Sequence, residues 1–199
     1  MPYRLRKLWT PDNYQDGRKA LGYFEGWYFK VVGPDGAHPM AFIAGVAMPA
    51  HGERYAFLQV NESDGRTSYR EYPFDEFSFD PERFDLRFGP NRFTEEGMTL
   101  ALDGPSGSIA GEIGFGPWAR WPVTPLSPGI MGWYRFVPFM ECYHGIVSMD
   151  HSLTGGLTVA GTRVDFDGVG ATPRRTGAGR SPKTGSGCSA TASSARACP

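Results

Sequence analysis

The chain has 199 residues, of which 40% are hydrophobic and 14% aromatic, so it can form one domain with a sizeable core. Its formal net charge of -1 argues against a nucleic-acid partner, which would require a basic face. No apolar run has the length of a bilayer span, the N-terminus lacks the apolar segment of a signal peptide, and the three cysteines match no disulfide framework or metal spacing. We therefore expect a cytoplasmic protein without a metal.

The predicted elements of the first half are strands. Residues 1–20 are expected to be a polar lead-in, and residues 21–168 a single β-rich domain. Phe24–Val32 is rich in aromatic and β-branched residues and ends at the turn signal Gly33-Pro34-Asp35-Gly36. Two further strands are predicted at Met40–Met48 and Arg54–Val60, and Asp64-Gly65 favours a tight hairpin turn after them.

The second half continues the same pattern. Phe84, Leu86 and Phe88 alternate with charged residues, which is typical of a half-buried strand. Further strands are predicted at Met98–Leu102, Ile109–Phe115, Gly132–Leu153 and Leu157–Phe166, the last two meeting at Thr154-Gly155-Gly156. Gly116–Gly129 holds four prolines and is predicted as an irregular crossing segment, because proline cannot donate to a central ladder. With no sustained helical period, the chain is predicted to be all-β, an antiparallel barrel or sandwich.

The stretch Gly129–Leu153 is the first candidate site. It combines seven aromatic or histidine rings with two carboxylates, one arginine and no lysine. Burying ionisable groups among aromatics is costly unless they are paired or neutralised, so Glu141, His144, Asp150 and His151 are candidate functional residues. Each has an ordinary alternative: a half-buried histidine with a hydrogen-bond partner, a turn cap for Asp150, or an ion pair with an arginine for Glu141.

Strand periodicity would divide these residues between two faces. If Glu141–Leu153 is one unbroken strand, Glu141 and His151 share a face, and His144 and Asp150 share the opposite one. A bulge at Gly145 would reset this register. In the unbroken case, each face carries one acid and one histidine.

A second candidate is Glu25, within the segment FEGWYFK. It alternates with Trp27 and Phe29, which places a carboxylate on a strongly apolar face. Burial there would favour the protonated form and suit Glu25 to donate a proton. The alternative is a salt bridge to an arginine on a neighbouring strand.

The composition changes sharply near Gly168. Residues 169–199 contain no Leu, Ile, Phe, Trp, Tyr or Met and no acid, but five basic residues, without which the formal charge would be -6 rather than -1. As printed, this segment is predicted to be disordered and of low complexity. An alternative reading frame of the same codons permits an aromatic, strand-like peptide. We interpret the end of the chain as frameshifted around Gly168–Val169, with a native basic tail as the alternative.

FEGWYFK at Phe24–Lys30, together with LSPGIMGWYRFVPFMECYHGIVSMDHSLTG at Leu126–Gly155, resembles the tocopherol cyclase family and its bacterial relatives. The resemblance spans most of Gly22–Gly168. It implies a lipocalin-like all-β domain, incomplete at its C-terminus. It also implies closure of a chromanol ring, as in vitamin E, from a prenylated quinol, an isomerase-type reaction without a cofactor.

This chemistry needs an acid to protonate an alkene and a base to accept a phenol proton. The candidate catalytic residues are Asp150, Glu141, Glu25, His144 and His151, with Asp150 or Glu141 as acid and His144 or His151 as base. The candidate substrate-binding residues are Trp27, Tyr28, Trp133, Tyr134, Phe139 and Tyr143.

Two other interpretations stay open. The chain can be a lipocalin-like carrier for an apolar small molecule, or an inactive truncated product. The expected partner is an apolar prenylated molecule; contact with a membrane surface and the oligomeric state are left open. No phosphate-binding loop, dinucleotide fingerprint, HExxH or GxSxG motif is present in the sequence.

Overall fold

The computed structural model describes Tyr14 and residues 22–104, 107–127, 129–137, 143–148, 150–167 and 176–181. Its strands are β1 (Tyr23–Val31), β2 (Met40–Met48), β3 (Tyr55–Asn61), β4 (Thr67–Pro73), β5 (Phe77–Phe79), β6 (Asp85–Phe88), β7 (Asn91–Thr94), β8 (Gly97–Gly104), β9 (Gly107–Phe115), β10 (Tyr143–Ser148), β11 (Leu153–Val159), β12 (Thr162–Asp165) and β13 (Thr176–Ser181). Short 3-10 helices occupy Pro34–Gly36, Phe74–Glu76 and Gly132–Phe136. The described residues contain no α-helix.

The strands form two antiparallel sheets. The first sheet has the order β10-β13-β1-β2-β3-β4, in which four consecutive strands are extended by two late ones. The second sheet has the order β12-β11-β9-β8-β7-β6-β5. Among the described strands, no ladder joins the two sheets into a ring, so the all-β prediction is confirmed in its sandwich form rather than as a closed barrel.

The core lies between the facing sides of the two sheets. In β2, the five residues Met40, Phe42, Ala44, Val46 and Met48 are buried at every second position, as a strand with one face on the core requires. Rings from the two sheets meet directly: Trp27 and Phe88 have centroids 6.3 Å apart, and Phe29 and Phe93 5.1 Å apart. Aromatic burial therefore holds the sandwich together.

The prediction of one strand over Gly132–Leu153 is wrong. Gly132–Phe136 is a 3-10 helix, β10 ends at Ser148, and β11 begins only at Leu153. The register of β10 shifts between Ile146 and Ser148, whereas the expected bulge position, Gly145, pairs regularly with Ala178. The face assignment based on an unbroken strand therefore does not hold, and His151 lies in a loop.

The turn predicted at Thr154-Gly155-Gly156 is also wrong, because these residues lie inside β11. Gly155 has a φ of 85°, and a Cβ there would lie 2.6 Å from the carbonyl oxygen of Glu112. Glycine is thus needed for the close approach of β9 and β11 rather than for a chain reversal. The reversal comes after β11, at Ala160 and Gly161.

Both predicted terminal segments contribute to the fold where they are described. Tyr14, from the polar lead-in, is 2% exposed and packs against Phe77 and Phe79 with centroid distances of 5.2 and 4.6 Å. Thr176–Ser181, from the predicted disordered tail, pairs as β13 between β1 and β10. The rest of residues 169–199 lies outside the described residues, and the frameshift stays a prediction.

Candidate functional site

His151 lies at one end of the aromatic core. It is 5% exposed, in the loop between β10 and β11, and its ring meets the Phe115 ring edge-to-face at 4.8 Å. Phe115 in turn stacks on Phe29, with centroids 6.1 Å apart. The imidazole is therefore held against hydrocarbon and largely removed from water.

Ser148 fixes the orientation and tautomer of this imidazole. Its hydroxyl, in a fully buried residue, donates to the carbonyl oxygen of Asp150 at 2.9 Å and lies 3.2 Å from Nδ1 of His151. A carbonyl oxygen can only accept, so we assign the single hydroxyl proton to that contact and the imidazole hydrogen to Nδ1, which donates it to Ser148. In the neutral ring, the lone pair then belongs to the buried Nε2.

Backbone contacts explain how the sequence builds this loop. Ala119 N–H donates to the carbonyl oxygen of Asp150 at 3.0 Å, and Gly116 N–H donates to that of Ser152 at 2.9 Å. A Cβ at Gly116 would overlap Ser152 Oγ, so a larger residue there would require that hydroxyl to rotate away. The proline-rich segment after β9 and the His151 loop therefore run side by side.

That arrangement brings Trp118 to the same end of the core. Its ring lies 5.6 Å from the Phe84 ring, and Phe84 lies 6.1 Å from Phe29. Among the described residues, no acceptor lies within hydrogen-bonding reach of its buried Nε1–H. An indole donor left in this state costs about 1–3 kcal/mol, so an oxygen supplied by a ligand would stabilise it.

Arg120 borders this region. Its guanidinium lies 5.3 Å above the centre of the Trp118 ring and forms an ion pair with Glu95. The indole thus contacts both the Phe84 ring and a cation. We call the group of His151, Ser148, Phe115 and Trp118 the His151 site.

Glu25 is buried but not part of the His151 site. It is 3% exposed on β1, in register with Val46 on one side and Arg180 on the other. Ser148 is in register with Thr176, which pairs with Phe29, four residues along β1 from Glu25. These two backbones are therefore about 13 Å apart along the strands and about 10 Å across them, too far for direct proton transfer.

Several predicted residues do not meet in one apolar pocket. Trp27 is in the core, whereas Tyr28 is 40% exposed on the opposite side of β1, because neighbouring strand residues alternate. Trp133 and Tyr134 stack on each other at 4.1 Å but are 61% and 52% exposed in the short 3-10 helix. The Asp150 side chain is exposed, so it is not the buried acid that the sequence suggested.

The remaining predicted residues can be placed only in part. Glu141 and Phe139 lie outside the described residues. Tyr143 and His144 belong to β10 by their backbone, in register with Arg180 and Gly179, and their side chains are outside the described part. Of the five candidate catalytic residues, His151 alone is described at the His151 site.

Sequence analysis did not select Ser148, Phe115 or Trp118. A serine three positions before a histidine in an apolar run was a usable signal for the hydroxyl contact. Trp118 lies in the proline-rich segment, which was predicted only as an irregular crossing, and the pairing of Phe115 with His151 depends on a long-range approach. No local pattern predicts that approach.

A scan of protein-family models found no match to this chain, and neither did a search of the curated proteins. Among the described residues, no helix combines the length and the apolar character needed to cross a bilayer.

Proposed function

We propose that the chain performs cofactor-free proton-transfer chemistry at the His151 site, in the manner of a tocopherol cyclase. The observation that carries this proposal is the buried His151 whose Nδ1–H is directed to Ser148, leaving Nε2 to accept a proton. The substrate class, a prenylated quinol, comes from the sequence resemblance. The aromatic surroundings of His151 support it, because they suit an apolar substrate.

The reaction is a net isomerisation. An acid donates a proton to the trisubstituted alkene of the prenyl chain, which gives a tertiary carbocation. The phenol oxygen attacks that cation, a carbon–oxygen bond forms, and the phenol proton passes to Nε2 of His151. Return of this proton to the acid restores the protein, so no oxidant or reductant is consumed.

The neighbouring rings have defined parts in this proposal. Phe115 lies edge-on to His151, and the aromatic faces at this end of the core stabilise a developing cation. The Trp118 Nε1–H binds an oxygen of the quinol ring and orients it. Glu141 is the candidate acid that the sequence leaves, with the exposed Asp150 as the alternative, since Glu25 is displaced along the sheet from the His151 site.

The second candidate is a carrier for an apolar small molecule. The same free indole donor favours it, because a ligand oxygen can be held there without any reaction. A lipocalin-like ligand position between the sheets is less supported. That space is occupied by fully buried rings such as Phe42, Phe88 and Phe93.

The two candidates are separated by incubating the protein with a prenylated hydroquinone under reducing conditions. Chromatography with mass detection follows a product of unchanged mass and altered retention. If the protein is a cyclase, the wild type converts the substrate and the His151→Gln variant converts it at least about 100-fold more slowly, since general-base catalysis typically contributes 10²–10⁴-fold. His51→Gln, at an exposed turn, is the matched control and should retain the wild-type rate.

Binding is measured in the same samples by quenching of tryptophan emission. A carrier would bind the quinol and return it unchanged. Equal turnover by His151→Gln and wild type would remove His151 from the reaction. Asp150→Asn and Glu141→Gln identify the acid: the variant that binds the quinol but does not convert it has lost the proton donor.

A further inference from the structure

The proline-rich connection after β9 ends in an exposed apolar surface. Residues 123–127 and 129–136, here called the apolar loop, contain six large hydrophobic side chains that are at least 42% exposed. Leu126 is the most prominent, at 83%, and Trp133 is 61% exposed. These side chains are Val123, Leu126, Ile130, Trp133, Tyr134 and Phe136. So many exposed together in one segment mark an interaction surface.

Several backbone groups of the apolar loop are bonded within its own turns. Thr124 and Ser127 exchange N–H···O bonds of 3.0 and 3.1 Å. Successive turns follow, with Gly132 N–H donating to Gly129 and Val137 N–H donating to Tyr134. Pro125 has no N–H to satisfy. Each N–H that is bonded in this way keeps its partner when the loop leaves water.

The charges of this region fit a lipid surface. From residue 113 to residue 140 the sequence has no acidic residue and no lysine, but it has Arg120 and Arg135. Arg120 is paired with Glu95, so the region is close to neutral or weakly cationic, within a protein of formal charge -1. Contact with anionic headgroups through this loop therefore avoids the repulsion that acidic side chains would meet.

We propose that the apolar loop inserts into the boundary between headgroups and acyl chains of a phospholipid bilayer. An aliphatic tip at Leu126 enters the acyl region, and the stacked Trp133 and Tyr134 rings lie at headgroup level, where amphipathic aromatics are favoured. A protein partner that pairs with strands is disfavoured, because the loop consists of turns and a 3-10 helix and offers no strand edge. This proposal stands independently of the chemistry at His151.

Vesicle flotation of the full chain tests this proposal. Vesicles of phosphatidylcholine alone and of phosphatidylcholine with phosphatidylglycerol are used, at low and high salt. Wild-type protein should float with both compositions, and more strongly with the anionic one at low salt. The double variant Leu126→Ser/Trp133→Ser should bind vesicles at least roughly tenfold more weakly, because it removes two of the large apolar side chains that would be buried in the bilayer. Both residues are exposed, so the variant should unfold at the wild-type temperature.

Tyr69→Ser is the matched control. Tyr69 is 44% exposed on β4 of the first sheet and is not part of the apolar loop, and its loss should leave flotation unchanged. Wild-type protein that stays below both vesicle types would overturn the proposal. A double variant that floats like wild type would also overturn it. So would a wild-type protein that is dimeric in gel filtration together with a double variant that is monomeric, since a second copy of the chain would then cover the apolar loop.

Discussion

Replacing Ser148 with alanine tests the central contact of the His151 site. The hydroxyl of Ser148 serves two groups at once, the carbonyl of Asp150 and Nδ1 of His151. The carbonyl keeps its second donor, Ala119 N–H, whereas the buried Nδ1–H loses the oxygen of Ser148. Leaving such a donor unpaired costs about 1–3 kcal/mol.

A loss of about 2 kcal/mol corresponds to a fall in melting temperature of about 4–8 °C for a chain of this size. Urea unfolding followed by tryptophan fluorescence measures the free energy, and circular dichroism measures the melting temperature. Ser108→Ala, at an exposed position in β9, is the matched control and should change stability by less than about 0.5 kcal/mol. Equal stability of the two variants would contradict the buried contact.

The tautomer provides an independent readout. In protein labelled with ¹⁵N-histidine, the His151 ring should show a protonated Nδ1 and an unprotonated Nε2 at neutral charge, and Ser148→Ala should shift this balance. The assignment of the basic nitrogen fails if the wild-type ring carries its proton on Nε2. Turnover of a prenylated quinol should fall in parallel with loss of the Nδ1–H form.

Two further predictions concern the scaffold. Asn91→Ala should lower the free energy of unfolding in urea by about 2–4 kcal/mol. The buried amide accepts from Ala101 N–H and donates to the Tyr72 hydroxyl and to a carbonyl of β6, and all three bonds are lost. A decrease below about 1 kcal/mol would show that this network is dispensable. Asp85→Asn should cost less than about 1 kcal/mol at neutral pH, since the pair with Arg92 is partly exposed. The Arg92 hydrogen bond lowers the pKa of Asp85 in the folded state. The stability contributed by this pair is therefore present above the ordinary pKa of 3.8 and is lost as the pH falls towards the folded-state pKa. Urea titrations at pH 7 and pH 3 should show the stability advantage of wild type over Asp85→Asn shrinking at the lower pH, and a growing advantage would refute the assignment.

The predicted strands that agree with the structure are those whose pattern is local. Met40–Met48 alternates apolar side chains with a period of two and forms β2 over the same residues. The buried alternation of Phe84, Leu86 and Phe88 likewise appears in and just before β6. A single face on the core imposes this period, so the sequence alone suffices for such elements.

The wrong predictions come from residues whose role depends on distant partners. Gly155 and Gly156 look like a turn, yet Gly155 allows β9 to approach closely inside a strand. The apolar run before Ser148 looks like the start of a longer strand, but the loop after β10 is held by backbone donors from the proline-rich segment. Such contacts have no periodic signature in the printed residues.

The candidate site was predicted in composition more than in geometry. His151 and the buried state of Glu25 follow from their aromatic neighbours. Their separation along the first sheet does not, because it depends on which strand pairs beside β1. Ser148 and Trp118 become visible only once the loops are placed side by side.

The position of β13 has a consequence for the order of assembly during synthesis. Strands β1 to β4 follow one another along the chain and can pair as soon as they leave the ribosome, since their contacts are local. β10 pairs, among the described strands, with β13 alone, and Ser148 is in register with Thr176. The nascent chain therefore reaches residue 181 before the strand that carries Ser148 can dock, so the environment of His151 is completed among the last events of folding. A stalled or early-terminated chain would have most of its sandwich and yet no aligned imidazole.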